Sequence, residues 1–164
     1  MHFHVKSLAR AGMIAAIYAA LTLICAPISF NAVQFRISEA MTVLPILLPE
    51  AVPGLAVGCL VANILGGAAL PDVIGGTLAT LIAAILTRTL RKKPVLAMAS
   101  PVVINGLIVG PLVYFCYEYQ SVFSLGALGF TVFTVALGEA VACMLVGRVV
   151  LRAVQRIPEK LLHG

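Results

Sequence analysis

The chain has 164 residues, 62% of them apolar and only 10% charged, with a mean hydropathy of +1.11. Soluble domains carry roughly 25% charged residues and have no interior for so much apolar surface, so the composition excludes a soluble protein and predicts a membrane one. The net charge of +5 is no sign of a nucleic-acid partner here, because the basic residues stand at the ends of apolar runs, where they report topology.

In chain order, the first apolar run extends from about Leu8 to Ala26, long enough as a helix to cross a hydrocarbon core of about 30 Å, and Pro27 ends it. Lys6 and Arg10 precede it as they would in a signal peptide, but no small-residue cleavage site leads into a soluble domain, so it reads as a retained first helix. An irregular stretch, Pro27 to Ile37, leads to a short apolar run from Ser38 to Leu48, closed by the P-E-A-V-P segment of Pro49 to Pro53. Longer runs follow at about Gly54 to Leu70, Val73 to Leu90, Leu96 to Tyr117 and Leu125 to Val150, with turns at Pro71-Asp72 and at Arg91 to Pro94. A bundle of this kind uses almost the whole chain as a single domain, 1–164, and leaves no room for an ATP-binding or catalytic module.

The short run is too short to cross alone, and the basic residues decide how to count it. They form three clusters: Lys6 and Arg10; Arg88, Arg91, Lys92 and Lys93; Arg148, Arg152, Arg156 and Lys160. If all three face the cytoplasm, an even number of crossings separates the first cluster from the second. The short run must then count as a span. The expectation is an all-α membrane protein, a six-helix bundle with a short second helix and both termini cytoplasmic. Arg36 is the basic residue left on the outer side.

A helix from Ser38 to Glu50 would rise only about 20 Å, which starts it some 10 Å below the outer surface. Arg36 and Glu39 would then sit at depth, where irregular backbone and ionisable groups are tolerated only when protein buries them or they line a watered cavity. This predicts an outward-facing pocket under a lid formed by Pro27 to Ile37.

Few other polar residues lie inside the spans: Asn63 in the third, Asn105 in the fifth and Glu139 in the sixth. Glu139 comes nine residues before Arg148, about 13 Å from the inner boundary, and an unpaired carboxylate at such depth costs at least ~2.5 kcal/mol. It is a candidate for ligand binding, for an interhelical hydrogen bond or for contact with a partner protein. Asn63 and Asn105 suit ligand reading and interhelical bonding equally. Asp72 reads as a helix cap. The aromatics from Tyr114 to Tyr119 suit an interfacial belt, with Tyr114, one turn deeper, placed to stack on a planar substrate.

The four cysteines, Cys25, Cys59, Cys116 and Cys143, stand singly in apolar runs and indicate soft packing rather than a metal site or a disulfide framework. No cofactor, metal or catalytic residue is indicated: H-E-x-x-H, G-x-S-x-G and clustered His or Cys ligands do not occur. Ala11, Ala15 and Ala19 recur at four-residue spacing in the first helix, with Ala16 and Ala20 beside them. Such a small-residue face suits close packing within a bundle, or docking on another membrane subunit.

Four stretches, A-G-M-I-A-A-I-Y-A-A-L-T, Q-F-R-I-S-E-A-M-T-V-L-P, P-G-L-A-V-G-C-L-V-A-N and D-V-I-G-G-T-L-A-T-L, resemble the QueT family of S components, with R-I-S-E the most specific block. The likeness spans roughly Ala11 to Leu90, and G-E-A at Gly138 to Ala140 extends it loosely. It implies a substrate-binding subunit of an energy-coupling factor (ECF) importer in a bacterial cell membrane, assigned to queuosine precursors. It also implies docking on a transmembrane scaffold subunit driven by two ATPases. The family's A-x-x-x-A docking motif falls on Ala11 and Ala15. For a 7-deazaguanine substrate in the 7-cyano or 7-aminomethyl form, a carboxylate would accept both a ring N–H and an amino group. Glu139 is the first choice for that role and Glu39 the second. Arg36 would hold Glu39 or the lid, Asn63 and Asn105 would read the remaining edges, and Tyr114 would stack. A solitary carrier coupled to protons through Glu139, an S component for another vitamin or purine, and an intramembrane enzyme are the other readings.

Overall fold

The computed structural model describes residues 5–29, 36–118 and 123–157. The described residues are mostly helical, with no strand among them: α1 Val5–Ile24, the single turn α2 Ala26–Ser29, a 3-10 helix Ile37–Ile46, α3 Ala51–Leu65, α4 Leu70–Thr89, α5 Pro94–Val113 continued by a π-helical stretch Tyr114–Glu118, α6 Leu125–Ala140 and α7 Gly147–Gln155. A π-helical stretch, Val141–Val146, joins α6 to α7, so that Leu125–Gln155 is one continuous helix of 31 residues. Apart from the single turn α2 this makes six helices among the described residues, four of them long and apolar enough to cross a membrane. Leu78, Leu107, Phe130 and Phe133 are among the many large apolar side chains left exposed, as lipid-facing positions require.

Local chemistry sets the boundaries. Pro71 and Pro94 occupy the first turns of α4 and α5, where a missing N–H costs nothing. Ser124 caps α6 by accepting from Ala127 N at 3.3 Å. The lid stretch is described only at its two ends, Pro27–Ser29 and Arg36 to Ile37; residues 30–35 lie outside the described residues.

The short second helix is where the fold departs from expectation. It is a 3-10 helix rather than an α-helix, and every residue from Ser38 to Ile46 is buried. At about 2.0 Å per residue, ten residues of 3-10 helix reach about 20 Å, the span that an α-helix needs about thirteen residues to cover. A three-residue repeat also stacks side chains in three columns, which suits an element packed on all sides. Ser38, Met41 and Leu44 face α1 and α3: Ser38 Oγ pairs with Thr22 Oγ1 at 2.7 Å, and Met41 and Leu44 join the cluster of Ile14, Tyr18 and Leu55. Val43 and Ile46 pack with Ala97, Met98 and Leu151 of α5 and α7. The third column, Glu39 and Thr42, meets the π-helical stretch, where Thr42 Oγ1 lies 3.3 Å from Cys143 Sγ.

Around this element α1 packs on α3, α3 on α4, α4 on α5 and α5 on α6. Glycines permit the closest approaches: a Cβ on Gly147 would fall 2.7 Å from Val43 Cγ1, and one on Gly54 2.7 Å from Ala11 O. At the basic end of the bundle, Arg88 Nη1 donates to Pro45 O (3.1 Å) and Ile46 O (3.2 Å), the open carbonyls at the end of the 3-10 helix. Arg10 pairs with Glu50 at 3.1 Å beside it.

Candidate functional site

The opposite half of the 3-10 helix opens on a small enclosed cavity lined by Arg36, Glu39, Gly76, Thr80, Asn105, Val109, Val135 and Glu139. Its polar groups come from four separate parts of the chain: the start of the 3-10 helix, α4, α5 and α6. All four of Arg36, Glu39, Asn105 and Glu139 are buried.

Glu39 is held on both its carboxyl and its carbonyl. The Tyr18 hydroxyl donates to Glu39 Oε1. The Glu39 carbonyl accepts from Thr42 Oγ1 at 2.6 Å and from Cys143 Sγ at 3.4 Å. Glu139 lines the cavity together with Asn105, and Cys143 Sγ lies 3.6 Å from Glu139 Oε2. Cys143 therefore bridges the two acidic residues, one through its backbone and the other through its side chain. It does so from the π-helical stretch, where the extra residue per turn shifts the helix face, a feature frequent at functional sites.

Among the described residues, Arg36 is the only basic one lining the cavity. Its Nη2 lies 3.9 Å from Asp72 Oδ2, and its Nε donates to Ser29 O at 3.4 Å. Asp72 is fully buried and also accepts from the Tyr117 hydroxyl at 3.2 Å; Tyr117 in turn accepts from Ala69 N at 3.0 Å. The reading of Asp72 as a cap is corrected: Ala69 is the N-cap of α4, Asp72 sits inside its first turn, and its carboxylate is spent on Arg36 and Tyr117.

The other candidates divide. Asn63 is fully buried but stands one layer behind the cavity, its Nδ2 directed at Cys59 Sγ (3.5 Å) and 3.2 Å from where a Cβ on Gly76 would lie. Tyr114 is not among the lining residues; its hydroxyl accepts from Ser124 N at 2.9 Å and fastens the α5–α6 connection, with its ring edge-on to Phe115 and Phe123. Ala15 and Ala19 are buried where α1 meets α3, because Gly54 and Gly58 draw the two backbones together. Ala11, Gly12 and Ala15 line one wall of an apolar surface groove of about 450 Å³, with Pro53, Gly54 and Val57 on the other.

Tyr18, Thr80 and Cys143 escaped the sequence reading. A tyrosine, a threonine and a cysteine in apolar helices look like packing residues, and only the facing acidic groups give them a polar task. The cavity also differs from the expected open pocket. Its volume is about 10 Å³, close to that of one water, so a ring-bearing ligand enters only if the surrounding helices move apart.

Among the described residues the chain is a six-helix, largely apolar bundle with a polar cavity beside a short helix that is buried from Ser38 to Ile46. Over residues 8–156 the chain matches the family model described as QueT transporter. It belongs to the QueT transporter family and is a transporter S component. The chain matches no curated protein and no solved structure.

Proposed function

We propose that this chain is the substrate-binding subunit of an ECF-type importer in the bacterial cell membrane, with both termini cytoplasmic, and that its substrate is a queuosine precursor of the 7-deazaguanine type. The observation that carries this reading is the convergence of Arg36, Glu39, Asn105 and Glu139 on one buried cavity within a QueT-family bundle. Among so few polar side chains in an apolar chain, four meeting at one point need a common purpose.

In this reading the helices part to admit the substrate from outside. Glu139 accepts the ring N–H and exocyclic amino group of the guanine-like edge, held in orientation by Asn105. Arg36 anchors the mouth through Asp72 and Ser29. The loaded bundle then tilts on a scaffold subunit moved by two ATPases and releases its cargo inward. Glu139→Gln replaces one acceptor oxygen by a donor facing donors, and is expected to weaken binding of the deazaguanine about 10- to 100-fold. Calorimetry on the purified protein measures this, and unchanged affinity removes Glu139 from the role.

The groove between α1 and α3 is the surface proposed for the scaffold subunit, since small residues let a partner helix approach closely. Ala15 is a poor place to test it, because a bulky side chain there would part α1 from α3. Gly12 is the better one: it lines the same groove and a Cβ there meets no atom within 4 Å. Gly12→Trp is expected to abolish co-purification of the scaffold and ATPase subunits while substrate binding by the isolated chain persists. Assembly that survives the substitution refutes the docking face. Uptake into liposomes by the chain alone would instead mark a solitary carrier.

A further inference from the structure

A second surface groove, of about 280 Å³, lies between α4 and α5 and takes no part in the polar cavity or in the docking face. Leu86 and Leu90 wall it on α4; Leu96 and Val103, about half exposed, stand at its rim on α5, and the small residues Ala99 and Ser100 form its floor. The floor has nothing polar to offer a ligand. Pro101 deprives the Ala97 carbonyl of the N–H four residues on. The hydroxyls of Thr87 and Ser100, 2.9 Å from each other, lie 3.1 Å and 2.8 Å from that carbonyl and supply the missing donor. What remains is an apolar trough, some 12 Å long from Leu96 to Ile104, on the membrane-facing side of two spans.

One end of the trough is charged. Helices α4 and α5 are each long enough to cross the membrane and only residues 90–93 join them, so this turn stands at the level of the lipid headgroups. Three of the four, Arg91, Lys92 and Lys93, are basic and exposed. The ion pairs among the described residues are Arg10 with Glu50 and Arg36 with Asp72, so no acidic side chain there neutralises the turn. Arg88 is turned inward to Pro45 O and Ile46 O, and Arg91 donates to Arg88 O at 3.4 Å, which leaves the two lysines as the cations facing outward. The groove between α1 and α3 differs in this respect: Glu50, which lines it, is already paired with Arg10.

We infer that the α4–α5 groove binds one anionic phospholipid, with an acyl chain along Ala99 and Ser100 and the phosphate held by Lys92 and Lys93. Unpaired cations at headgroup level that give way to an apolar trough follow the order of an amphiphile, and basic sites between membrane helices take anionic headgroups. A zwitterionic lipid fills the trough equally well but sets its own cation against the lysines. Because Arg88 ties the end of α4 to the 3-10 helix, a lipid fixed at this turn also braces the element that carries Glu39.

Native mass spectrometry of the purified full chain, given equal amounts of phosphatidylglycerol and phosphatidylcholine with the same acyl chains, tests this. One phosphatidylglycerol per chain is expected to be retained, with a preference of about 10- to 30-fold over phosphatidylcholine, the effect of two basic residues beside a phosphate. In Lys92→Gln/Lys93→Gln the preference is expected to fall toward parity. Arg148→Gln/Arg152→Gln removes the same charge from exposed positions of α7 and is expected to leave it unchanged. Equal retention of the two lipids by the parent chain overturns the inference, and so does an equal loss in both double variants, which would mark diffuse attraction to the basic end. Ala99→Leu raises the floor and is expected to lower retention about tenfold, the worth of roughly two buried methylenes. Undiminished retention there, or a dimer of the chain found in place of bound lipid, removes the acyl chain from the groove. The lysine substitutions change only exposed side chains, so they decide the headgroup contact whether or not Ala99→Leu folds.

Discussion

Arg36→Met is expected to lose about 3–5 kcal/mol of stability, and the double variant Arg36→Met with Asp72→Asn to regain most of it. The guanidinium and the Asp72 carboxylate are both buried, 3.9 Å apart, with Tyr117 as the additional donor to the carboxylate among the described residues. Removing the cation strands that carboxylate in an apolar interior, where solvent cannot compensate it. The stranding, rather than the lost attraction, makes the single substitution expensive, because the pair itself gains little net free energy over apolar residues of similar size. Asparagine at position 72 removes the charge yet still accepts from Tyr117, which is why the double variant recovers. Denaturant unfolding of the four proteins in one detergent gives the coupling directly. An Arg36→Met variant as stable as the parent would mean that Asp72 does not depend on Arg36. Substrate binding should fall in both variants, since Arg36 also links the cavity mouth to Ser29 at the end of α2.

How much of this was legible in the chain depended on contrast. Against an apolar background Arg36, Glu39, Asn105 and Glu139 stood out as residues needing partners, and they meet at one cavity. The counting of basic residues required the short run to count as a span; among the described residues it is one of six helices, shorter than the four long enough to cross, and sits at the centre of the packing. What composition could not convey was pairing. The 3-10 geometry answers to neighbours on three sides, and no local pattern announces them. Asp72 follows Pro71 at a helix start and so resembled a cap; its use as the partner of Arg36 is a contact between residues 36 positions apart, with Tyr117 a third party from the π-helical stretch Tyr114–Glu118 that follows α5. Tyr114 looked poised to stack on a planar ligand, yet its hydroxyl is taken by the backbone of Ser124. The alanine stripe has the same appearance whether it faces a neighbour within the chain or a separate subunit. Gly54 and Gly58 on α3 decide for Ala15 and Ala19, and they lie some forty residues away in sequence.

That helix contact gives the second large effect. A Cβ on Gly58 would fall 2.9 Å from Ala15 O, 2.9 Å from Tyr18 Cβ and 3.1 Å from Ala15 Cα. None of these atoms is the far end of a flexible side chain, so Gly58→Leu has to push α1 away from α3. Overpacking of this kind costs about 1–3 kcal/mol, and more where backbone meets backbone. The displaced segment carries Tyr18, whose hydroxyl holds Glu39 at the cavity, so the same substitution should weaken substrate binding about tenfold or more, although Gly58 is not among the cavity's lining residues. Gly12→Leu supplies the comparison: on α1, with no atom within 4 Å of its Cβ, it should leave stability unchanged or raise it slightly, as replacing a helical glycine does. Thermal unfolding of both variants, each followed with and without substrate, separates the two effects. If Gly58→Leu melts with the parent protein and binds as tightly, α1 and α3 are not in the contact described, and Tyr18 is not the support on which Glu39 depends.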